Sequence, residues 1–314
     1  MFKSESEAMY KEALEILRRL AHTNPQAYEP NVATTLNNLA LLYYNTQRFT
    51  ESEAMYKEAL EIRLRLAQTN PQAYEPDVAM TLNNLANLYS DTQRLTESEA
   101  MYKEALEIRR RLAQKNPQAY EPDVAATQYN LGLLKVQQEL YPDAITSFEE
   151  ALEIYRRLAK INPAQQQWYK GSVAYLSQLY PVVKNYSAAY RINKEWLPIL
   201  KKMYEENPDA VKSGYAGTLV NQSWYAIFMK QYAESEQLAR EGLAIDSTKT
   251  FIYSNLAAAL LFQGKYAEAE KLYRQYKSEL KESFLDDFRQ FAEAGVIPKE
   301  YEADVEKIKK MLNE

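Results

Sequence analysis

Apolar residues in the first half of the chain return at helical spacing, in blocks that themselves repeat. In ESEAMYKEALEI, which begins at Glu5 and recurs at Glu51 and Glu97 with a period of 46 residues, Tyr, Ala and Leu fall on one stripe while Glu and Lys fill the other side. Each copy runs to an Asn-Pro stop, a short NPQAYEP connection and a second apolar segment. The first full unit reads as helix A, VATTLNNLALLYYNTQ from Val32, and helix B, FTESEAMYKEALEIRLRLAQTN from Phe49, stopped by Pro71. Pro30, Pro76 and Pro122 are expected where each helix A begins, a position that tolerates a missing N–H, with Asp77 and Asp123 in the first turn. Two helices per period predict an all-α solenoid in which each hairpin buries its apolar face on the next.

The pattern divides the chain. Residues 1–30 supply a half repeat, a helix B alone, with an open stripe of Tyr10, Ala13, Leu14 and Leu17; Leu17 stands where later copies carry Arg63 and Arg109. Three long units follow over 31–163. A divergent unit covers 164–212, where Pro181 and Pro198 fall inside helical patterns and each removes a backbone bond and bends the rod. Two shorter units fill 213–280, with Tyr232 and Tyr266 spaced by 34 residues. The tail, 281–314, reads as polar capping helices, its long helix ended by Gly295 with Val296 and Pro298 behind.

Composition narrows the function. A chain of 314 residues with 46% hydrophobic content can bury a large core, and 26 tyrosines supply rings that pack while their hydroxyls reach water or a carbonyl. A net charge of −5 and a pI near 5.4 disfavour nucleic acid. The basic residues are paired along single helices, as in Glu7 with Lys11, Glu53 with Lys57 and Glu99 with Lys103, with the acid four residues ahead of the base. The absence of Cys removes disulfide and thiolate chemistry. No apolar run reaches transmembrane length and the N-terminus is too polar for a signal peptide, so no membrane association and a cytoplasmic location are expected. The single histidine, His22, ends a helix whose sister copies have Gln68 and Gln114. Asp286 and Asp287 are adjacent on a helix and point in different directions. With no phosphate loop, metal-ligand spacing or nucleophile motif, the chain is expected to be no enzyme and to hold no cofactor or metal.

Leu36, Leu39, Ala40 and Tyr43 on helix A, with Phe49, Tyr56 and Ala59 on helix B, resemble the tetratricopeptide repeat. Leu82, Leu85, Ala86, Tyr89, Leu95, Tyr102 and Ala105 follow it again, and the third unit keeps Leu131, Gly132, Tyr141, Ala144, Phe148 and Ala151 but has Lys135 at the usual Tyr position. The lengthened helix B and the PDVA-x-TLNNLA-x-LY wording are similar to the repeats of kinesin light chains and related bacterial proteins. The resemblance implies a right-handed superhelical solenoid of antiparallel hairpins with a C-terminal capping helix, and a protein or peptide partner in its concave groove.

Carried over residue by residue, the resemblance places Thr34, Asn37, Asn38, Leu41, Tyr44 and Asn45 in the groove of the first unit. In the second it places Met80, Asn83, Asn84, Asn87, Ser90 and Asp91 there. The Asn before the core Leu recurs as Asn38, Asn84, Asn130, Asn221 and Asn255, with Tyr175 as the exception. An amide offers an acceptor and two donors, enough to meet both polar groups of a peptide backbone. The implied peptide-binding set is therefore Asn37, Asn38, Asn83, Asn84, Asn87, Asn130, Asn221 and Asn255, with Trp224 and Phe228 as an aromatic anchor pocket. The same amides could instead bond neighbouring helices, and the tail helix could cover the aromatics. Self-assembly through the N-terminal half repeat, and sensing of a small peptide or ligand in the aromatic C-terminal groove, are the alternative functions.

Overall fold

The computed structural model describes residues 2–314, with side chains from Glu5 onward. Fourteen α-helices and no strand occur among them: α1 (Phe2–Thr23), α2 (Pro25–Asn45), α3 (Phe49–Thr69), α4 (Pro71–Asp91), α5 (Leu95–Lys115), α6 (Pro117–Gln137), α7 (Tyr141–Ile161), α8 (Gln166–Val182), α9 (Tyr186–Glu206), α10 (Pro208–Phe228), α11 (Tyr232–Ile245), α12 (Phe251–Leu261), α13 (Tyr266–Glu293) and α14 (Glu302–Asn313). Two compact units divide them, Met1–Ser172 and Val173–Glu314. None of the described helices is long and apolar enough to cross a membrane.

The A helices begin earlier than the sequence predicts. Asn70 ends α3 and caps α4, its Oδ1 accepting the Ala73 N–H at 3.2 Å, and Pro71 occupies the first helical position, where no N–H is needed. Asn24 and Asn116 repeat the device. NPQAYEP is thus the opening of helix A and not a connection. Pro30, Pro76 and Pro122 lie inside their helices, which carries Asp77 and Asp123 beyond the first turn. Pro181 and Pro198 are likewise accommodated within α8 and α9.

Helix A turns into helix B through one left-handed residue. Gln47, Gln93 and Glu139 have φ of 60, 61 and 59°. At the first of them the Arg48 N–H reaches Tyr43 O at 2.9 Å and the Gln47 N–H reaches Tyr44 O at 2.9 Å, closing the helix end. A side chain in that conformation costs about 1 kcal/mol, yet glycine, the usual signal, is absent at these three positions. Gly264 is the exception in this series, and a Cβ there would stand 2.7 Å from the Tyr301 hydroxyl.

Hairpins close at a crossing of small residues. Ala40 is fully buried, and its carbonyl accepts the Ser52 hydroxyl at 2.8 Å; Ala86 and Ser98 repeat this at 2.8 Å. At the third crossing Gly132 replaces the alanine because a Cβ would lie 2.9 Å from the Phe148 ring. In the first unit each helix packs on the next from α1 to α7, and the A helices α2, α4 and α6 touch in a row. On α1, Leu14 is buried and Tyr10, Ala13 and Leu17 are half-buried against α2, so the stripe expected to be open is covered. Among the described residues of α1, the large apolar side chains left exposed are Met9, Ile16 and Leu20.

Successive pairs are joined by buried and half-buried polar contacts. Tyr43 donates to Glu7 Oε1 at 3.2 Å, while Arg48 bonds Glu7 Oε2 at 2.8 Å and lies over the Tyr43 ring. Tyr89, Arg94 and Glu53 repeat the arrangement. In the next pair Lys135 replaces the tyrosine and Leu140 the arginine, and the buried Lys135 ammonium bonds Glu99 at 2.7 Å. Gln138 adds a longer bond to the same carboxylate, its Nε2 donating to Glu99 at 3.4 Å. Burial acts to raise the Glu99 carboxyl, but Lys103 and Lys135 outweigh it and hold it at about 2.

Arg63 on α3 is only 2% exposed, and its Nη1 donates to the Asp77 carbonyl at 3.1 Å and to the Thr81 hydroxyl, both on α4, while its Nε has no partner. Arg109 repeats the contacts with Asp123 and Thr127. Burial lowers both guanidinium pKa values, against the nearby Asp77 and Asp123 charges. The equivalent positions in α1 and α7 carry Leu17, half-buried, and Tyr155, buried.

Two outcomes follow from these contacts. Arg63→Leu, which installs the residue found in α1, is expected to leave the thermal midpoint unchanged or raised, because a buried cation is removed while Thr81 keeps its bond to the Asp77 carbonyl at 3.0 Å; a loss above about 2 kcal/mol contradicts it. Lys135→Ala is expected to lower stability by about 1–3 kcal/mol in urea unfolding by stranding part of Glu99. Lys135→Tyr with Leu140→Arg should recover most of that loss, and a failure to recover would show that the two arrangements are not equivalent.

Candidate functional site

The faces of α2, α4 and α6 that are not used against helix B line up in rows set by the 46-residue period. The Asn row is Asn38, Asn84 and Asn130, with Asn38 exposed and Asn84 and Asn130 half-buried. On one side stand Thr34, Met80 and Ala126, and on the other Leu41, Asn87 and Leu133. Leu41 is 43% exposed and Met80 37%. Asn45, Asp91 and Gln137, all exposed, form a further row. Asp91 is the one charged residue of these rows, and it accepts the Tyr44 hydroxyl. Burial first, then the Asp91 hydrogen bond, pushes the Tyr44 phenol up to about 12. Ser90 similarly donates to Gln137 at 2.7 Å, so neighbouring A helices are tied along this ridge.

Five of the eight expected amides are bonded to other helices of the chain. Asn37 is buried, and its Oδ1 accepts Asn84 Nδ2 at 3.3 Å. Asn83 Oδ1 accepts Arg109 Nη1 at 3.3 Å, and Asn87 Oδ1 accepts the Tyr102 hydroxyl. At the positions of Tyr102 and Asn87 the third unit has Phe148 and Leu133, while the first has Tyr56 and Leu41. Asn37 is therefore removed from the peptide-binding set by burial, and the facing acceptors of Asn83 and Asn87 serve the hairpins. Asn84 retains its second N–H and its carbonyl oxygen beyond the bond to Asn37.

The second unit departs further. Asn221 on α10 is exposed, but Asn255 on α12 is buried and donates to the Val220 carbonyl at 2.8 Å. Trp224 and Phe228 are half-buried beneath α13, with the Phe291 ring 4.8 Å from Trp224 and 5.6 Å from Phe228. The Phe262 ring lies 5.6 Å from the same residue. Phe284, Phe288 and Phe291 join Ile252, Leu256 and Phe262 in one core, closed by Val305, Ile308 and Leu312 of α14. The aromatic anchor pocket is thus occupied by the chain's own helix, because the apolar stripe of α13 continues well past the length needed to pair with α12. Asn255, Trp224 and Phe228 are removed from the set for that reason.

Comparison with known proteins fits this architecture. Family models described as "Tetratricopeptide repeat" match residues 31–111 and 77–157, and a second one matches 252–275. No curated protein matches the sequence. The fold is similar to that of BtubC (BKLC) from P. vanneervenii, with a TM-score of 0.51 and 21% identity over 79% of this chain and 92% of that one. It is also similar to a putative kinesin light chain of Podosopora anserina with nearly identical TPR-like repeats, at a TM-score of 0.41 and 16% identity over 66% of this chain and 97% of that one. YrrB, described as a TPR protein with an unusual peptide-binding site, gives a TM-score of 0.41 and 16% identity over 79% of this chain and 97% of that one. Paired helices closing on small residues, in the register that these models recognise, make residues 31–157 and 252–275 tetratricopeptide repeats, lengthened in the first of these stretches.

Proposed function

We propose that the chain is a protein-interaction scaffold, without catalysis, that holds an extended segment of a protein partner against the A face of α2, α4 and α6. The observation that carries this reading is the row Asn38, Asn84 and Asn130, three amides in one register on a face nearly free of charge. Packing accounts for Asn37, Asn83 and Asn87 but not for the exposed Asn38. YrrB, described as having a peptide-binding site, lends general precedent for the class of partner.

Magnitudes say what else the site must do. Three amides with two bonds each give roughly 6 kcal/mol at about 1 kcal/mol per bond, and ordering an extended segment costs about 2–5 kcal/mol. The remainder falls short of the roughly 8 kcal/mol of micromolar binding. Apolar side chains of the partner must therefore bury Leu41 and Met80, each worth up to about 2 kcal/mol. The partner segment that fits is uncharged or weakly charged and carries aliphatic residues beside a backbone left free to bond.

Asn84→Ala with Asn130→Ala is expected to leave helicity unchanged, with a small loss of stability because Asn37 loses its donor, while weakening partner binding by up to about a thousandfold, the roughly 4 kcal/mol of four lost bonds. Affinity pull-down with the intact chain, quantified by mass spectrometry beside the wild type, checks it. Equal capture by the double variant contradicts peptide binding at this row, and an unfolded array would show that the amides are structural.

A further inference from the structure

The second unit carries a face of the same kind, closed by the chain itself, and the closing contact includes one misplaced charge. On α13, Phe284, Phe288 and Phe291 are buried at no more than 1% exposure over α10 and α12. Among them stands Asp287, whose Oδ2 accepts the Ser254 hydroxyl of α12. We propose that residues 280–293 are a proton-gated cover over the Trp224, Phe228 and Phe262 surface, closed when Asp287 is protonated and loosened when it ionises.

The geometry opposes the ionised form. The groups that act on Asp287 are Ser254 from α12, Asp286 on its own helix, and the buried Tyr273, whose phenol is raised by burial first and by the Asp287 charge second. Asp286 itself is turned toward Arg289 and toward Gln290, whose Nε2 it accepts at 2.9 Å. A half-buried carboxylate beside these rings, held by one hydroxyl, loses part of its hydration without an ion pair to offset the loss. A protonated carboxyl in the same place needs only the hydroxyl. Burial first and the Asp286 charge next lift the Asp287 carboxyl to about 6, with the Ser254 bond opposing both.

A carboxyl near 6 when covered and at its ordinary 3.8 when open holds its proton more tightly in the closed state. Acid therefore favours closure, and that stabilisation is lost as pH rises through about 6. Between pH 5 and pH 8 the open-to-closed ratio should grow about tenfold. The surface so released is a strip of aromatic side chains suited to an amphipathic helix with large apolar residues at the spacing of Phe284, Phe288 and Phe291. The proposal is independent of the amide row in the first unit.

Hydrogen exchange read by mass spectrometry on the full chain tests it, with rates corrected for their intrinsic pH dependence and referenced to α4. Protection of residues 280–293 relative to α4 is expected to fall about tenfold from pH 5 to pH 8 in the wild type, and to stay level in Asp287→Asn. Ser254→Ala, which removes the bond that opposes the rise, should move the midpoint to higher pH. Level protection in the wild type, the same fall in Asp287→Asn, or an unmoved midpoint in Ser254→Ala would each overturn the proposal.

Discussion

Each hairpin depends on how closely its two helices approach at a single crossing. At Ala40 with Ser52, and again at Ala86 with Ser98, a methyl group and a buried hydroxyl bring the backbones together, and the hydroxyl is satisfied by the carbonyl it meets. Where a ring intrudes, as Phe148 does, the alanine becomes Gly132. The crossing fixes which side of helix A faces helix B, and so fixes which side is left over. The amide row exists on that remainder because packing asks little of it.

Contacts between successive pairs are less uniform, and their variation is instructive. Glu7, Glu53 and Glu99 hold the same place, yet the first two are met by a tyrosine and an arginine and the third by Lys135. Tyr102 with Asn87 gives way to Phe148 with Leu133. Arg63 and Arg109 stand where α1 has Leu17 and α7 has Tyr155. Paired exchanges of this kind inside one chain separate residues that serve packing from residues that do not. Asn87 serves the hairpin through its bond to Tyr102, and Asn38 stands exposed on the surface.

Much of the architecture was legible because the 46-residue period, the Asn-Pro stops and the alanine crossings each have a local physical cause. The start of helix A was not, since Pro76 looks like a first-turn proline until Asn70 is seen capping at Pro71. The left-handed Gln47, Gln93 and Glu139 carried no glycine to announce them. For the candidate site, register identified the A face, but burial of Asn37 and Asn255 depends on partners in other helices, Asn84 and Val220, that one position cannot reveal. The cover by Phe291 lay in the length of the α13 stripe, and the weight of that signal was visible only once the rings were seen to meet.

The account turns on the side chains of Asn38, Asn84 and Asn130 facing a partner. Side-chain amide resonances of the labelled protein, followed as the captured partner segment is added, test this directly. The account predicts that the Asn38, Asn84 and Asn130 signals shift together and saturate at one concentration while that of the buried Asn255 stays in place; shifts confined to other surfaces, with those three unmoved, would contradict it.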